Sequence, residues 1–185
     1  MRYIRVVLSA GLAALIVAVA AYAETASVTA EPPADAELRN CRSRAEGTAP
    51  IKMDVKPVDV QIGPLVLGNV RSIGGVGPTG QPAWPFAKKT PVLLPARARV
   101  VLAIAPEAIG LAALQHKNGW ASAVRFTACF ERVRAFAYDG TVGRTTFFPF
   151  GIGLSRRSVC LPLDLWIEGR PDPIRRVVPI GRRSC

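Results

Sequence analysis

Few residues in this 185-residue chain have the type and spacing that chemistry would need, and each such set has a structural alternative. Asp164 and Glu168 sit at even spacing in one apolar run, so both would stand on one face of a strand. Hydrolysis by carboxylates needs two acids that converge in this way. Arg170, Arg175 and Arg176 follow closely, however, and ion pairing across a hairpin is the expected fate of both acids. Asp54 and Asp59 lie on separate sides of Pro57 and make no better pair.

Gly75-Val76-Gly77-Pro78-Thr79-Gly80 matches G-x-G-x-x-G, which holds a pyrophosphate when it joins a strand to a helix whose first amides face the ligand. Pro78 removes one of those amides, Pro82 and Pro85 follow where the helix should run, and the next acid is as far away as Glu107. A plain loop is the better reading. Gly151-Ile152-Gly153-Leu154-Ser155 is not the G-x-S-x-G elbow. Any nucleophile would have to use His116, the one histidine, which stands beside Gln115 and Lys117 and is expected in a solvated turn. These features together imply no catalytic set, no cofactor and no metal. The expectation is a protein that is not an enzyme, with a secreted hydrolase of ungrouped carboxylates as the alternative.

Four cysteines, Cys41, Cys129, Cys160 and Cys185, are at least 25 residues apart and form no CxxC pair. Zinc sites use closely spaced ligand pairs, so two disulfides are expected instead. Cys129 with Cys160 and Cys41 with Cys185 is the favoured pairing, joining neighbouring strand ends and the two ends of the domain. Cys41 with Cys129 and Cys160 with Cys185 stays open as the alternative.

The remaining candidates are surfaces. The doublets Arg156-Arg157, Arg175-Arg176 and Arg182-Arg183 could gather into a face that binds phosphates, anionic cell-envelope polymers or lipid headgroups. A doublet in a strand sends one residue to each face, which works against a continuous patch. Trp84 and Phe86, in the Pro- and Gly-rich segment 74–90, are candidates for a contact loop, and covering the core is the competing role.

The elements that would position these residues are strands. Sixteen Gly and sixteen Pro favour short strands joined by turns. Residues 51–56 alternate apolar and polar, Val58, Val60 and Ile62 continue the alternation after Pro57, and Leu65–Ile73 supplies a partner through Gly63-Pro64. Val100, Leu102 and Ile104 mark another strand, Pro106–Gln115 a short helix or a further strand, and Asn118-Gly119 a turn. Trp120 leads into a strand ending at Cys129. Strands around Phe147–Phe150, Cys160–Ile167 and Ile174–Ile180 complete the densest part of the pattern, Val124–Cys185. The expectation is an all-β, mainly antiparallel β-sandwich or partly closed barrel of about eight strands.

Met1–Arg5 is positive, Val6–Ala20 apolar, and Ala21-Tyr22-Ala23 a small-x-small site, so residues 1–23 are expected to be a signal peptide, or an uncleaved membrane anchor through residues 6–23. Residues 24–40, rich in Ala, Glu, Pro and Thr, are expected to be a flexible spacer, and 41–185 the disulfide-bridged domain. The formal charge of +11 includes Arg2 and Arg5; without them 22 basic groups face 13 acidic ones. The predominance of Arg over Lys also suits a GC-rich genome, a compositional alternative to any anionic partner. Export makes nucleic acid an unexpected partner; an anionic envelope polymer, a membrane surface or another envelope protein is expected instead.

Phe126-Thr127-Ala128-Cys129, Phe150-Gly151, Cys160-Leu161-Pro162-Leu163-Asp164 and Gly181–Cys185 together resemble a group of small, uncharacterised exported proteins of actinobacteria. The resemblance covers the last third of the chain. It implies an exported, cysteine-bridged β domain and carries over no site. The stretch between Cys129 and Cys160 is longer here than in that group, which leaves strand register there open.

Overall fold

The structure is a computed structural model and describes residues 31–44, 55–117, 119–130, 133–134 and 142–185. The expected leader (1–23), the first part of the expected spacer (24–30), most of the alternating run at 51–56 and Asn118 of the Asn118-Gly119 turn lie outside the described residues.

The fold is all-β. Its strands are β1 (Glu37–Arg39), β2 (Val60–Ile62), β3 (Leu65–Leu67), β4 (Val76–Pro78), β5 (Phe86–Lys89), β6 (Val92–Pro95), β7 (Arg99–Ile104) and β8 (Ala112–His116). They continue with β9 (Gly119–Ala121), β10 (Ala123–Thr127), β11 (Val133–Arg134), β12 (Val142–Gly143), β13 (Thr145–Phe148), β14 (Gly151–Leu154), β15 (Val159–Ile167) and β16 (Ile174–Ile180). Fourteen of them form three mainly antiparallel sheets. Sheet I runs β1-β10-β7-β15-β16, sheet II β13-β6-β3-β2 and sheet III β4-β5-β14-β8-β9. Among the described residues β11 and β12 pair only with each other, and no sheet closes into a barrel.

One apolar core takes side chains from all three sheets. Alternation decides which ones. Val100, Leu102 and Ile104 of β7 face inward, as do Val124 and Phe126 of β10 and Leu161, Leu163 and Leu165 of β15. Phe126 is fully buried and packs its ring against Phe148 and Phe150 at centroid distances of 5.2 and 5.5 Å. Such tilted aromatic contacts add to the stabilisation from burial alone.

Sheets II and III share two bent strands. Phe148 faces Val92 in sheet II and Gly151 faces Lys89 in sheet III, so the two ladders keep one register and Pro149 falls opposite Pro91. Two prolines supply no ladder amides, which lets the pair of strands turn the corner there. The Thr90 amide donates to the Phe150 carbonyl at 3.0 Å directly beyond it.

Several elements differ from the sequence expectation. Residues 74–90 are not simply a loop: β4 and β5 pair in them, with Val76 opposite Lys88. Pro106–Ala108 is one 3-10 turn and Ala112–His116 a strand, so the strand alternative is the one realised. Leu65–Leu67 is shorter than expected but pairs with Val60–Ile62 as the Gly63-Pro64 turn implied. The run from Trp120 to Cys129 is split at Ser122, β9 joining sheet III and β10 sheet I. The second half of the spacer is also structured. Glu37–Arg39 pairs in parallel with β10, and Ala36 packs on the far side of sheet I against Val101, Ala103, Ala123 and Trp166.

The disulfides are Cys41–Cys129 and Cys160–Cys185. The favoured pairing of Cys129 with Cys160 and Cys41 with Cys185 is therefore corrected. Sheet order gives the reason. β10 and β15 both pair antiparallel with β7, on opposite sides of it. Cys129 follows the C-terminal end of β10 while Cys160 begins β15, so the two lie at opposite ends of the sheet. Arg39 is opposite Phe126 in the parallel β1–β10 pair, which brings Cys41 and Cys129 to the same end. Cys160 is opposite Pro179, and the chain turns back through Gly181 to deliver Cys185. Gly181 has φ +67°, and a Cβ there would stand 2.5 Å from the Arg157 carbonyl oxygen.

Candidate functional site

The outer faces of sheets I and III are where functional side chains can stand, since the inner faces are committed to the core. Alternation sends Arg99 and Val101 of β7, Arg125 and Thr127 of β10, and Trp166 and Glu168 at the end of β15 to the outer side of sheet I. Register then assembles them: Arg125 is opposite Val101, and Val101 opposite Trp166. Arg170 joins from the β15–β16 turn, where its amide donates to the Ile167 carbonyl at 3.0 Å. Together with Pro32 of the lead-in these residues line a cavity of about 470 Å³. That is within the usual range for small-ligand sites.

The cavity has an apolar floor and a charged rim. Val101 and Trp166 are buried, and Arg99, Arg125, Glu168 and Arg170 are exposed. Arg99 Nη1 donates to Glu168 Oε1 at 3.0 Å. Neither Arg125 nor Arg170 has an acidic partner among the described residues, so positive charge is in excess around the opening. Among the described residues Glu168 is the one acid on the lining, and no second carboxylate converges on it.

The arginine doublets do not form one surface. Arg175 is tied down: its Nε and Nη2 donate to the two oxygens of Asp164 at 2.8 Å each, and its Nη1 to Glu107 Oε1 at 3.2 Å. The Asp164 bonds, then its charge and that of Glu107, hold the guanidinium above its ordinary value. The expected cross-hairpin ion pair exists for Asp164, while Glu168 turns to Arg99 on the other neighbouring strand. Arg176 is exposed opposite Leu163, one residue along the strand and on the other face.

Arg156 and Arg157 occupy the β14–β15 turn, and Arg182 and Arg183 follow β16, so all four gather where Val159 pairs with Ile180. This group sits at the Cys160–Cys185 end of β15. The cavity is at the other end, nine strand residues away, or roughly 30 Å.

Trp84 and Phe86 cover the protein rather than project from it; both are half-buried. Phe86 packs on the core and carries the Arg157 guanidinium 5.3 Å from its ring centroid, a cation–π contact. On the outer face of sheet III, register lines up Gly77, Ala87, Gly153 and Ala113 across four strands. A Cβ on Gly153 would meet Trp120 at 3.0 Å and Trp84 at 3.1 Å. Trp120 Nε1 donates to Gln81 Oε1, closing the cover.

The glycine motif at 75–80 lies in the β4–β5 hairpin, with the Thr79 amide donating to the Pro85 carbonyl at 3.1 Å, and no helix follows it. Ser155 Oγ donates to the Leu111 carbonyl at 3.0 Å. His116 is not a solvated turn residue: it ends β8, half-buried, with Nδ1 3.5 Å from Glu37 Oε2. The expectation of solvation failed because Glu37 of β1 approaches the end of β8. Lys88 is fully buried on the inner side of β5, donating from Nζ to Ser72 O at 2.9 Å, to Ser72 Oγ at 2.5 Å and to Gly74 O. Burial without a carboxylate partner pushes its pKa down.

Among the described residues no cluster of acids, histidine and cysteines is arranged to hold a metal, and no helix is long and apolar enough to cross a membrane. Two disulfides fit folding in an oxidising compartment outside the cytoplasm. Compared with known proteins, the chain matches no family model, no curated protein and no solved structure.

Sequence reasoning did not single out Arg99 or Arg125, and it took Arg170 only as an ion-pair partner for Asp164 and Glu168. Arg125 is flanked by the inward-facing Val124 and Phe126 and Arg99 precedes an alternating run, so each could be assigned to an outer face. That both faces belong to one sheet, on either side of the same ladder, depends on long-range pairing that local pattern does not encode.

Proposed function

We propose that this protein is an exported, non-enzymatic binding domain of the cell surface, and that its ligand is anionic. The observation that carries the proposal is the cavity on sheet I, where Arg99, Arg125 and Arg170 outnumber Glu168 around a floor of Trp166 and Val101. Arginine forks suit phosphate, sulfate and carboxylate groups, and an apolar floor excludes water from one side of the contact. The second group, Arg156, Arg157, Arg182 and Arg183, adds long-range attraction for the same class of partner. A binding role is favoured over hydrolysis because the acids that sequence spacing brings together are engaged, Asp164 by Arg175 and Glu168 by Arg99.

The leader of 1–23 and the two disulfides support export, and the actinobacterial resemblance of the last third of the chain is part of the same reading. Retention on immobilised heparin and co-sedimentation with anionic vesicles, each followed across salt, test it. Retention that is strong at low salt and lost as the Debye length shrinks is expected. No retention on either matrix at low ionic strength contradicts it.

A further inference from the structure

Resting on that reading, we infer that the cavity on sheet I is the site for the phosphate of a membrane phospholipid headgroup, and that the chain presents it to the bilayer from which it emerges.

Three features of the cavity select this ligand. Its charge is the first. Arg125 and Arg170 have no acidic partner among the described residues, whereas Arg175 is already satisfied by Asp164 and Glu107. Phosphate is the anion that a guanidinium fork meets with two parallel hydrogen bonds while leaving further oxygens for a second arginine. Shape is the second feature. Guanidiniums at the rim and Trp166 with Val101 beneath them separate a polar from an apolar zone within about 470 Å³. A phosphodiester seated there meets guanidiniums at the rim while the apolar floor keeps water from its other side. An indole at the headgroup boundary is also favourable in its own right.

Position is the third. Pro32 lines the cavity, nine residues beyond Ala23 at the end of the apolar leader. A chain reaches at most 3.3–3.6 Å per residue, so when residues 6–23 remain in the bilayer the cavity stands within roughly 30 Å of the headgroups. The arginine group around Arg156 and Arg182 sits at the far end of β15 and is not brought to the membrane by this tether. The tether thus bounds the distance of the cavity from the bilayer more closely than that of the far-end arginines. Where the facing leaflet carries anionic phospholipid, each basic residue near its surface contributes about 1 kcal/mol of attraction.

The experiment uses the protein as exported and compares two double variants with it. Arg125→Gln with Arg170→Gln empties the cavity rim of its unpartnered charge, and Arg182→Gln with Arg183→Gln removes the same charge from the far end. Both pairs are exposed, and unchanged thermal midpoints verify the folds. Binding is read by co-sedimentation with vesicles of phosphatidylglycerol in phosphatidylcholine, against phosphatidylcholine alone. The cavity variant should bind about 25-fold more weakly, fivefold per arginine, and the far-end variant within about twofold of wild type. Millimolar sn-glycerol 3-phosphate should compete with the vesicles for wild type and not for the cavity variant.

Equal loss in both variants, or loss confined to the far end, overturns the cavity assignment and leaves the broader anion-binding proposal standing. Binding of sn-glycerol 3-phosphate without vesicle binding overturns the membrane assignment in favour of a soluble phosphate ester. Heparin binding with neither phosphate probe bound overturns the phosphate assignment. Absence of all binding at low salt removes the broader proposal as well.

Discussion

The outer faces of sheets I and III start from the same situation, a sheet whose inner side is buried in the common core, and they end differently. Sheet III is closed by its own chain: a row of Gly77, Ala87, Gly153 and Ala113 leaves room for Trp84 and Trp120 to lie across it. Sheet I is covered over part of its surface only, where Ala36 packs on Val101, Ala103, Ala123 and Trp166. Beyond that cover the charged rim of Arg99, Arg125 and Arg170 surrounds a cavity. Aromatic residues on glycine make a finished surface, whereas arginines over a buried tryptophan leave charge and apolar area unmatched. The proposed ligand site is thus on the less covered of the two faces.

The largest effect should come from the bridge that fastens the lead-in beside sheet I. Cys41–Cys129 closes a separation of 88 residues, and Cys160–Cys185 one of 25. Loop-closure entropy puts the cost of Cys41→Ser with Cys129→Ser at about 4–5 kcal/mol and of Cys160→Ser with Cys185→Ser at about 3–4 kcal/mol. Urea unfolding of both pairs checks this; the reverse order would mean that the lead-in contributes little to the fold.

Next in size is Gly153→Val, which forces a side chain under Trp84 and Trp120 and should cost about 1–3 kcal/mol by overpacking. Arg125→Gln on sheet I should stay within about 0.5 kcal/mol, because an exposed side chain there displaces nothing. Similar losses for the two substitutions would erase the distinction between a closed and an open face.

Lys88, on the inner side of sheet III, should give a smaller effect that depends on pH. Burial holds its folded value below the ordinary 10.5. Between that lowered value and 10.5 the unfolded chain binds more protons than the folded one, so the Lys88 contribution makes stability rise with pH across the window. Relative to Lys88→Met, the wild type should therefore gain stability as pH rises towards 10.5, measured by urea unfolding of the two proteins side by side. A constant difference between them contradicts the shift.

Much of this organisation was legible in the sequence where the pattern is local. Alternation in Val100–Ile104 identified a strand, and ion pairing across the hairpin, expected of both Asp164 and Glu168 from Arg170, Arg175 and Arg176 nearby, is found for Asp164 with Arg175. What was not legible depends on strand order. Cys129 with Cys160 was a reasonable pairing for neighbouring strands, but β7 stands between β10 and β15 and puts the two cysteines at opposite ends. The Gly74–Thr90 segment read as a loop because its prolines and glycines mask a hairpin whose pairing partner, β14, is more than 60 residues on. The doublets drew attention as sequence, yet Arg99, Arg125 and Arg170, isolated from one another along the chain, are the ones that share a cavity.

The central claim is that the outer face of sheet I is the binding face, and the tryptophans offer a direct test because the chain has three, two on sheet III and one under the cavity. A variant carrying Trp84→Phe and Trp120→Phe leaves Trp166 as the sole indole. Its fluorescence should shift to the blue and lose access to soluble quencher on titration with phosphatidylglycerol vesicles, while a Trp166→Phe protein stays unchanged. A silent Trp166, with the response coming from Trp84 and Trp120, would contradict the account.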